Sequence, residues 1–290
     1  MRIAFVGAGR LGSGLARAFG QAGVEVVAVA SRTSGAAQAL AHDVPGARAV
    51  PPQEAVALAD VVFLSVPDDA IAPVAAGLRW GPGKACVHCS GVGELDLLRK
   101  AADEGARIGG FHPLRMFARP GEPVASLGGA AVAIAGAEPL ATELEGLARA
   151  IGGRPFRLPP GSRALYHASA NFVGSFVIAL VQEALELWRR LGVPEDQALA
   201  ALLPLARGTL DNVEAFGPAG GLGSAVARGD LGTIRKHLAA LAAVENQVAP
   251  GSLELYRLLS LRTVPLGLAK GTLAPEAARA LEALLSRPGV

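Results

Sequence analysis

Residues Ile3–Phe19 read IAFVGAGRLGSGLARAF, and this stretch decides the fold. Four apolar residues end at Gly7, and Gly7, Gly9 and Gly12 stand in the G-x-G-x-x-G spacing. An amphipathic run to Phe19 follows. The pattern predicts a strand, a tight turn and a helix. Each glycine has its own task there. Gly7 makes the turn, Gly9 lets a pyrophosphate approach the backbone, and Gly12 lets the helix pack closely on the strand. The free N–H groups at the helix start, from Arg10 and Leu11 onward, then face the negative charge of a dinucleotide.

The next strand selects the dinucleotide. Val26–Thr33 reads VVAVASRT and ends in Ser31, Arg32 and Thr33, with no carboxylate. An Asp or Glu at this point bonds the free ribose 2′-hydroxyl of NAD. Arg32 instead offers a planar fork suited to a 2′-phosphate, so the expected cofactor is NADP (NADPH). Val61–Pro67 supplies a further strand, and the turn after it places Ser65, Val66 and Pro67 beside the cofactor cleft. Asp68 and Asp69 read as the first turn of a helix, where acidic residues complement the helix dipole.

Outward from the motif the alternation continues. Strands are expected at Arg2–Val6, Glu25–Ala30, Ala47–Val50, Val61–Ser65, Ala85–His88, Arg107–Gly109, Ala130–Ala135 and Arg154–Leu158. Helices are expected at Leu11–Gln21, Gly35–His42, Asp69–Leu78, Glu94–Glu104 and Pro139–Ile151, with another opened by Pro52. Runs such as VVFLSV are apolar on both faces, which suits parallel strands covered on both sides. The fold class is α/β, a Rossmann-like doubly wound parallel sheet. After Pro159-Pro160-Gly161 no strand pattern recurs, so an all-α C-terminal domain is expected. The division is residues 1–159 for dinucleotide binding and 160–290 for a helical substrate and dimerisation domain. A helix from Ser162 to Leu191 would span about 45 Å at 1.5 Å per residue, enough to pack against a second copy of the chain. Further helices are expected at Glu195–Val213, Asp230–Val248, Leu253–Leu259 and Pro275–Ser286.

Composition narrows the function classes. The 290 residues are 51% hydrophobic and 18% charged, with 37 glycines, which excludes a disordered chain. The uncharged run Ala164–Gln182 contains His167, Ser169, Asn171, Ser175 and Gln182. Such polar groups are costly in hydrocarbon, so it reads as a buried helix of a soluble protein and no membrane partner is expected. No signal-peptide pattern opens the sequence, and the expected location is cytoplasmic. Net charge is +2 without a basic stripe, so no nucleic-acid partner is expected. Cys86 and Cys89 have no second C-x-x-C to complete a zinc site, and no metal is expected.

Chemistry is expected where strands end. His88-Cys89-Ser90-Gly91 closes one strand, and Gly110 to Arg115 follows the next. His112 ahead of Pro113, with Arg115 three residues on, suits an anionic or carbonyl substrate. Ser90 is placed to donate a hydrogen bond to it. His88 reads as a satisfied core histidine. His167 and Asn171 sit four apart on one helix face beside Tyr166, with His167 suited to proton transfer and Asn171 to orienting a substrate. The candidate catalytic set is His112, His167, Asn171, Ser90 and Arg115. Polar residues at Gly208–Asn212 and Ala227–Asp230, with Thr233 and His237, read first as helix caps and helix faces.

GAGRLGSG, SRT and DVVFLSVPDDAI resemble two-domain reductases that include pyrroline-5-carboxylate reductase, ketopantoate reductase, β-hydroxyacid dehydrogenases and prephenate dehydrogenase. HCSG, GGFHPLRMFA, YHASANF and GPAGGLGSAVARGDLGTIRKHL are similar to a bacterial family that joins an NADP-oxidoreductase-like Rossmann domain to a helical domain of unknown function. The resemblance implies hydride chemistry with NADP. In β-hydroxyacid dehydrogenases a catalytic lysine precedes an asparagine by four residues; here His167 and Asn171 hold that spacing. Deazaflavin-dependent reductases resemble only the first domain, so that cofactor is not implied. The expected function is an NADP-dependent oxidoreductase acting on a small carbonyl, imine or hydroxy-acid substrate, assembled as a homodimer through the helical domain. The alternative is a non-catalytic NADP-binding regulatory or scaffold protein.

Overall fold

The computed structural model describes residues 1–115, 128–245 and 250–286. Its opening motif folds as strand β1 (Ile3–Val6), the glycine turn and helix α1 (Arg10–Gln21). The alternation continues with β2 (Val26–Ala30), α2 (Ser34–Asp43), β3 (Arg48–Ala49), α3 (Pro52–Leu58), β4 (Val61–Leu64), α4 (Asp68–Ala76) and β5 (Ala85–His88). A short 3-10 turn, Leu95–Leu98, leads into α5 (Arg99–Asp103). Then come β6 (Arg107–Pro113), β7 (Ala131–Gly136), α6 (Leu140–Ala150), β8 (Arg154–Arg157) and α7 (Arg163–Val173).

The eight strands form one sheet in the order β3-β2-β1-β4-β5-β6-β7-β8. All pairs are parallel except β6 with β7. The doubly wound, Rossmann-like architecture is therefore present, with one antiparallel step. Strand residues alternate between two cores, as the period of two requires. Phe5, Phe63, Val87, Phe111 and Ile134 pack against α1 and α6 on one face, while Ala4, Val62, Leu64 and Cys86 pack on the other. Aromatic residues are only 4% of the chain. Several of them meet here, with Phe5 stacked on Phe63 at 5.2 Å and Phe111 edge-on to Phe63 at 5.5 Å.

The chain divides into two compact units, Met1–Gly174 and Ser175–Val290. The first keeps α7 with the sheet, fifteen residues beyond the division at 159/160 drawn from sequence. The second comprises α8 (Ser175–Arg190), α9 (Glu195–Gly221), α10 (Leu231–Val244), α11 (Ser252–Lys270) and α12 (Pro275–Leu285). Val226, Ile234, Leu238, Leu253, Val264 and Leu281 are among its core residues.

Several expected elements differ. The single helix Ser162–Leu191 is broken at Gly174, whose φ of −98° and ψ of −95° are not helical. Most of its large apolar residues are exposed, Leu185 being buried. Leu165 is 77% exposed, Val173 74% and Ile178 59%, and the apolar window within Arg163–Arg190 is long enough to cross a membrane by length and composition. Hydropathy reports what a side chain prefers, not whether it is covered. Strand β6 runs four residues past its expected end, because antiparallel pairing with β7 carries the ladder to Pro113. The helix expected at Glu94–Glu104 is a 3-10 turn followed by one short helix. Helix α9 continues past Val213 to Gly221 across a kink at Gly217, where φ is 70° ahead of Pro218. Helix α11 continues past Leu259 and through Pro265 to a left-handed Gly271. The expected end of the Asp230–Val248 helix lies outside the described residues, and α10 begins one residue after Asp230, its cap.

Candidate functional site

The glycine turn is shaped for close approach. Gly7 has φ of +115°, and a side chain there would collide with the Ser65 carbonyl. A Cβ on Gly12 would collide with Ser65 Oγ and the Gly7 carbonyl. Gly9, by contrast, has nothing within 4 Å of its Cβ position, so open space lies over the backbone there. Ser65 Oγ donates to the Gly7 carbonyl at 2.8 Å and fixes the turn. Helix α1 starts at Arg10 and continues through Leu11, with no side-chain cap and no acidic residue in its first turn. Such a helix start presents N–H groups and partial positive charge, the chemistry a diphosphate needs.

At the end of β2, Arg32 is exposed and Ser31 Oγ accepts from the Thr33 N–H at 3.4 Å. A cavity of about 260 Å³ opens beside it, lined by Ser31, Ser34, Ala37, Gln38 and Pro51 among others. Val66 and Pro67 form the turn between β4 and α4, and Asp68 and Asp69 fall in the first turn of α4. The expected cofactor residues thus converge at the carboxyl ends of β1, β2 and β4, with no carboxylate at the β2 tip.

The candidate catalytic residues gather at β5, β6 and α7. His112 lies within β6 rather than in a loop after it. The period of two puts His112 on the same face as Gly110, and its register partner across β7 is Ala133. Its Nδ1 is 3.0 Å from the Tyr166 hydroxyl, and its ring centre is 5.9 Å from that of His167. Gly91 has no room for a side chain because both imidazoles press on it; a Cβ would sit 2.8 Å from His112 Nε2. Ser90 Oγ accepts from the N–H groups of Val92 and Gly93, closing the turn beneath. Asn171 Nδ2 donates to the His167 carbonyl at 3.4 Å, one helical turn on. The structure therefore brings Ser90, His112, His167 and Asn171 to one region of the first unit. Arg115 is exposed two residues beyond β6.

Burial sets the protonation states. It pulls the His112 imidazole down to about 4, with the positive charges of Arg163 and His167 adding to the effect. The Tyr166 phenol is pushed up to about 12 by the same desolvation, against a smaller opposing pull from Arg163. At neutral pH both groups are uncharged, so one of them donates a hydrogen bond to the other.

His88 is fully buried, and its Nδ1 accepts from the Ser90 N–H at 3.2 Å. Its Nε2 is buried without a partner, so it is not the satisfied core histidine expected from sequence. Desolvation, then Arg163 and His112, hold it at about 3. Burial also pushes the Cys89 thiol up to about 12 and Cys86 higher still, which makes both poor nucleophiles. Among the described residues no three His, Cys, Asp or Glu side chains group to hold a metal.

Two participants were not in the expected set. Tyr166 was noted only as a neighbour of His167, yet it is the partner of His112. Arg163 is 1% exposed and reaches the Ser90 carbonyl with Nη2. An arginine in the first turn of a helix carries no sequence signal of burial. In the second unit, Asp230 caps α10, accepting from Thr233 Oγ1 at 2.7 Å and from Thr233 N at 2.9 Å, and these hydrogen bonds hold its carboxyl below the usual range. His237 Nδ1 pairs with the Tyr256 hydroxyl at 2.7 Å.

Comparison with known proteins adds independent findings. Residues 2–90 match the family model described as NADP oxidoreductase, coenzyme F420-dependent, and residues 130–263 match a domain of unknown function, DUF2520. A search of curated protein sequences finds no match. Among solved structures, a Bacteroides fragilis protein with the provisional description of NADP oxidoreductase is 26% identical, with a TM-score of 0.68 over 91% of this chain and 97% of that one. A Thermotoga maritima protein is 23% identical with a TM-score of 0.75, covering 93% and 99%. An imine reductase from Myxococcus stipitatus, solved with NADP+, is 20% identical with a TM-score of 0.66, covering 97% and 99%. At that identity the last two establish likeness of fold. The chain therefore carries an NADP-oxidoreductase family domain at residues 2–90 joined to a DUF2520 domain at residues 130–263.

Proposed function

We propose that the protein is an NADP-dependent oxidoreductase acting on a small carbonyl, imine or hydroxy-acid substrate. The observation that carries this reading is the glycine turn. Gly7 and Gly12 have no space for a side chain, Gly9 has open space over it, and α1 begins without an acidic residue. This set fits a dinucleotide diphosphate. Gly7, Gly9, Arg10, Leu11 and Gly12 would hold it, with Ser65, Val66 and Pro67 alongside. Ser31, Arg32 and Thr33 would hold the ribose 2′-phosphate. When bound, the reduced nicotinamide supplies a hydride.

The chain's own residues supply the proton side of the chemistry. With the Tyr166 hydroxyl donating to Nδ1, neutral His112 carries its proton on Nε2, the nitrogen beside Gly91. That N–H is a preorganised donor for a developing negative charge on substrate oxygen or nitrogen. His167 is the second proton-transfer group, Asn171 and Ser90 orient the substrate, and Arg115 meets an acidic substituent. The exposed apolar residues of α7 and α8 support assembly as a homodimer, since a second copy would remove them from water.

The test is direct. Binding of NADPH and NADH is measured by cofactor fluorescence, followed by turnover on a panel of ketones, cyclic imines and hydroxy acids. NADPH binding at least tenfold tighter than NADH, with turnover of one class, supports the reading. Absence of dinucleotide binding overturns it, and tight binding without any turnover would point to a regulatory protein instead. A monomeric mass in sedimentation at micromolar protein would overturn the dimer.

A further inference from the structure

Arg163 is the largest side chain buried to below 2% exposure, and the functional reading above gives it no role. It is held at three points. Its backbone N–H donates to Glu94 Oε1 at 3.1 Å. Nη2 donates to the Ser90 carbonyl. Nη1 lies across β6, 3.0 Å from the position a Gly110 Cβ would take, and His88 Cε1 lies 3.4 Å from that same position on another side. Nε and Nη1 are buried without a hydrogen-bond partner. Leaving such donors unpaired in a low-dielectric interior is costly, so a guanidinium kept there calls for a reason beyond packing. Gly110 is the residue that makes space for it.

We propose that Arg163 is the positioning residue of the site, tying the Ser90–Gly91 turn to α7 and keeping a fixed positive charge beside the imidazoles of His88 and His112. Gly91 is the surface on which His112 and His167 both rest, so the Arg163–Ser90 bond sets the height of that surface against the helix that carries His167. The charge acts on His112. A guanidinium stays ionised at any working pH. A second cation next to it is disfavoured, so His112 remains a neutral N–H donor. The groups facing His112 are Tyr166, His167, Arg163 and His88. Those facing Arg163 also include Glu94, Asp68 and Cys89. Glu94 meets the backbone N–H of Arg163, and Asp68 is exposed to solvent, where its field is screened. The inference rests on the reading of His112 as the substrate-facing donor, but its test needs no substrate.

The experiment is a histidine-resolved NMR titration of the full chain labelled with ¹⁵N-histidine, comparing wild type, Arg163→Lys and Arg163→Met. Methionine keeps most of the buried volume and removes the charge, and lysine keeps the charge. The expected result is a His112 midpoint at least one pH unit higher in Arg163→Met and within half a unit of wild type in Arg163→Lys. The cross-peak between the His112 and His167 rings should weaken in Arg163→Met only. An unmoved His112 midpoint in Arg163→Met overturns the proposal. If that variant fails to fold, Arg163→Gln decides, since it keeps a donor for the Ser90 carbonyl and removes the charge: a His112 midpoint at least half a pH unit above wild type supports the proposal, and a smaller change overturns it. NADPH titrations on the same samples separate the two readings. Wild type that does not bind NADPH refutes the oxidoreductase assignment and leaves the His112 result standing.

Discussion

The Tyr166 hydroxyl lies 3.0 Å from Nδ1 of His112, joining residues 54 apart in sequence. The pairing fixes which imidazole nitrogen meets the tyrosine and leaves Nε2 on the side of Gly91. On the proposed reading this half-buried imidazole acts as a neutral hydrogen-bond donor, and a second group supplies net protons. His167, half-buried on the same helix as Tyr166, is the nearer candidate for that exchange.

Tyr166→Phe removes the hydroxyl and keeps the ring, which also packs against Phe156 at 5.7 Å between ring centres. Loss of one partly buried hydrogen bond costs about 1 kcal/mol of stability. If the pair orients His112, turnover should fall roughly 10- to 100-fold, in the range of general acid–base contributions, with NADPH affinity within about twofold of wild type. Steady-state kinetics beside cofactor titration check this. Unchanged kcat would remove Tyr166 from the site.

Arg32→Ala tests cofactor choice. Arg32 is exposed, so the substitution should change stability by less than about 0.5 kcal/mol. An arginine–phosphate hydrogen bond contributes about 1.5–3 kcal/mol, so NADPH affinity should drop roughly 10- to 100-fold while NADH affinity stays nearly constant. Equal losses for both dinucleotides would place the 2′-phosphate elsewhere.

What could be read from sequence was what local pattern controls. The β1 turn, the arginine at the tip of β2 and the Asp230 cap each depend on residues a few positions apart. The His112–Tyr166 pair was not legible, because it requires β6 to extend to Pro113, and that extension comes from antiparallel pairing with the distant β7. Arg163 was overlooked because arginine is seldom fully buried, and its pocket is made by the absence of a side chain at Gly110. The run Ala164–Gln182 was read as a buried helix because hydropathy reports a side chain's preference and not its cover, yet Leu165, Phe172, Val173 and Ile178 are exposed.

Gly9→Ala and Gly12→Ala should separate binding from folding. Gly12 faces Ser65 Oγ and the Gly7 carbonyl, so a methyl there must displace backbone and costs about 1–3 kcal/mol. Gly9 has open space, and its change to alanine at a helix N-cap costs at most about 1 kcal/mol. Thermal melts should therefore show a larger fall for Gly12→Ala than for Gly9→Ala, while both lose NADPH affinity by tenfold or more. Gly9→Ala with full affinity would mean that the diphosphate does not lie over that residue.

Acid should destabilise the first unit well above the pH at which carboxylates titrate. His88 and His112 are held near 3 and 4 in the folded chain against an ordinary value of 6.5, first by burial and then by Arg163. Both folded values are lowered, and neutral imidazole is the folded form. Between pH 6.5 and 4 the unfolded chain therefore binds more protons than the folded one, and stability falls as pH falls. Their contribution is complete above about pH 6.5. Each histidine adds a slope of about 1.4 kcal/mol per pH unit, until about pH 4 for His112 and about pH 3 for His88. Urea melts at pH 7, 6 and 5 should show the midpoint dropping at each step, and His112→Gln should remove about half of the drop between pH 6 and 5. A midpoint constant from pH 7 to 5 would mean that both imidazoles titrate normally in the folded chain.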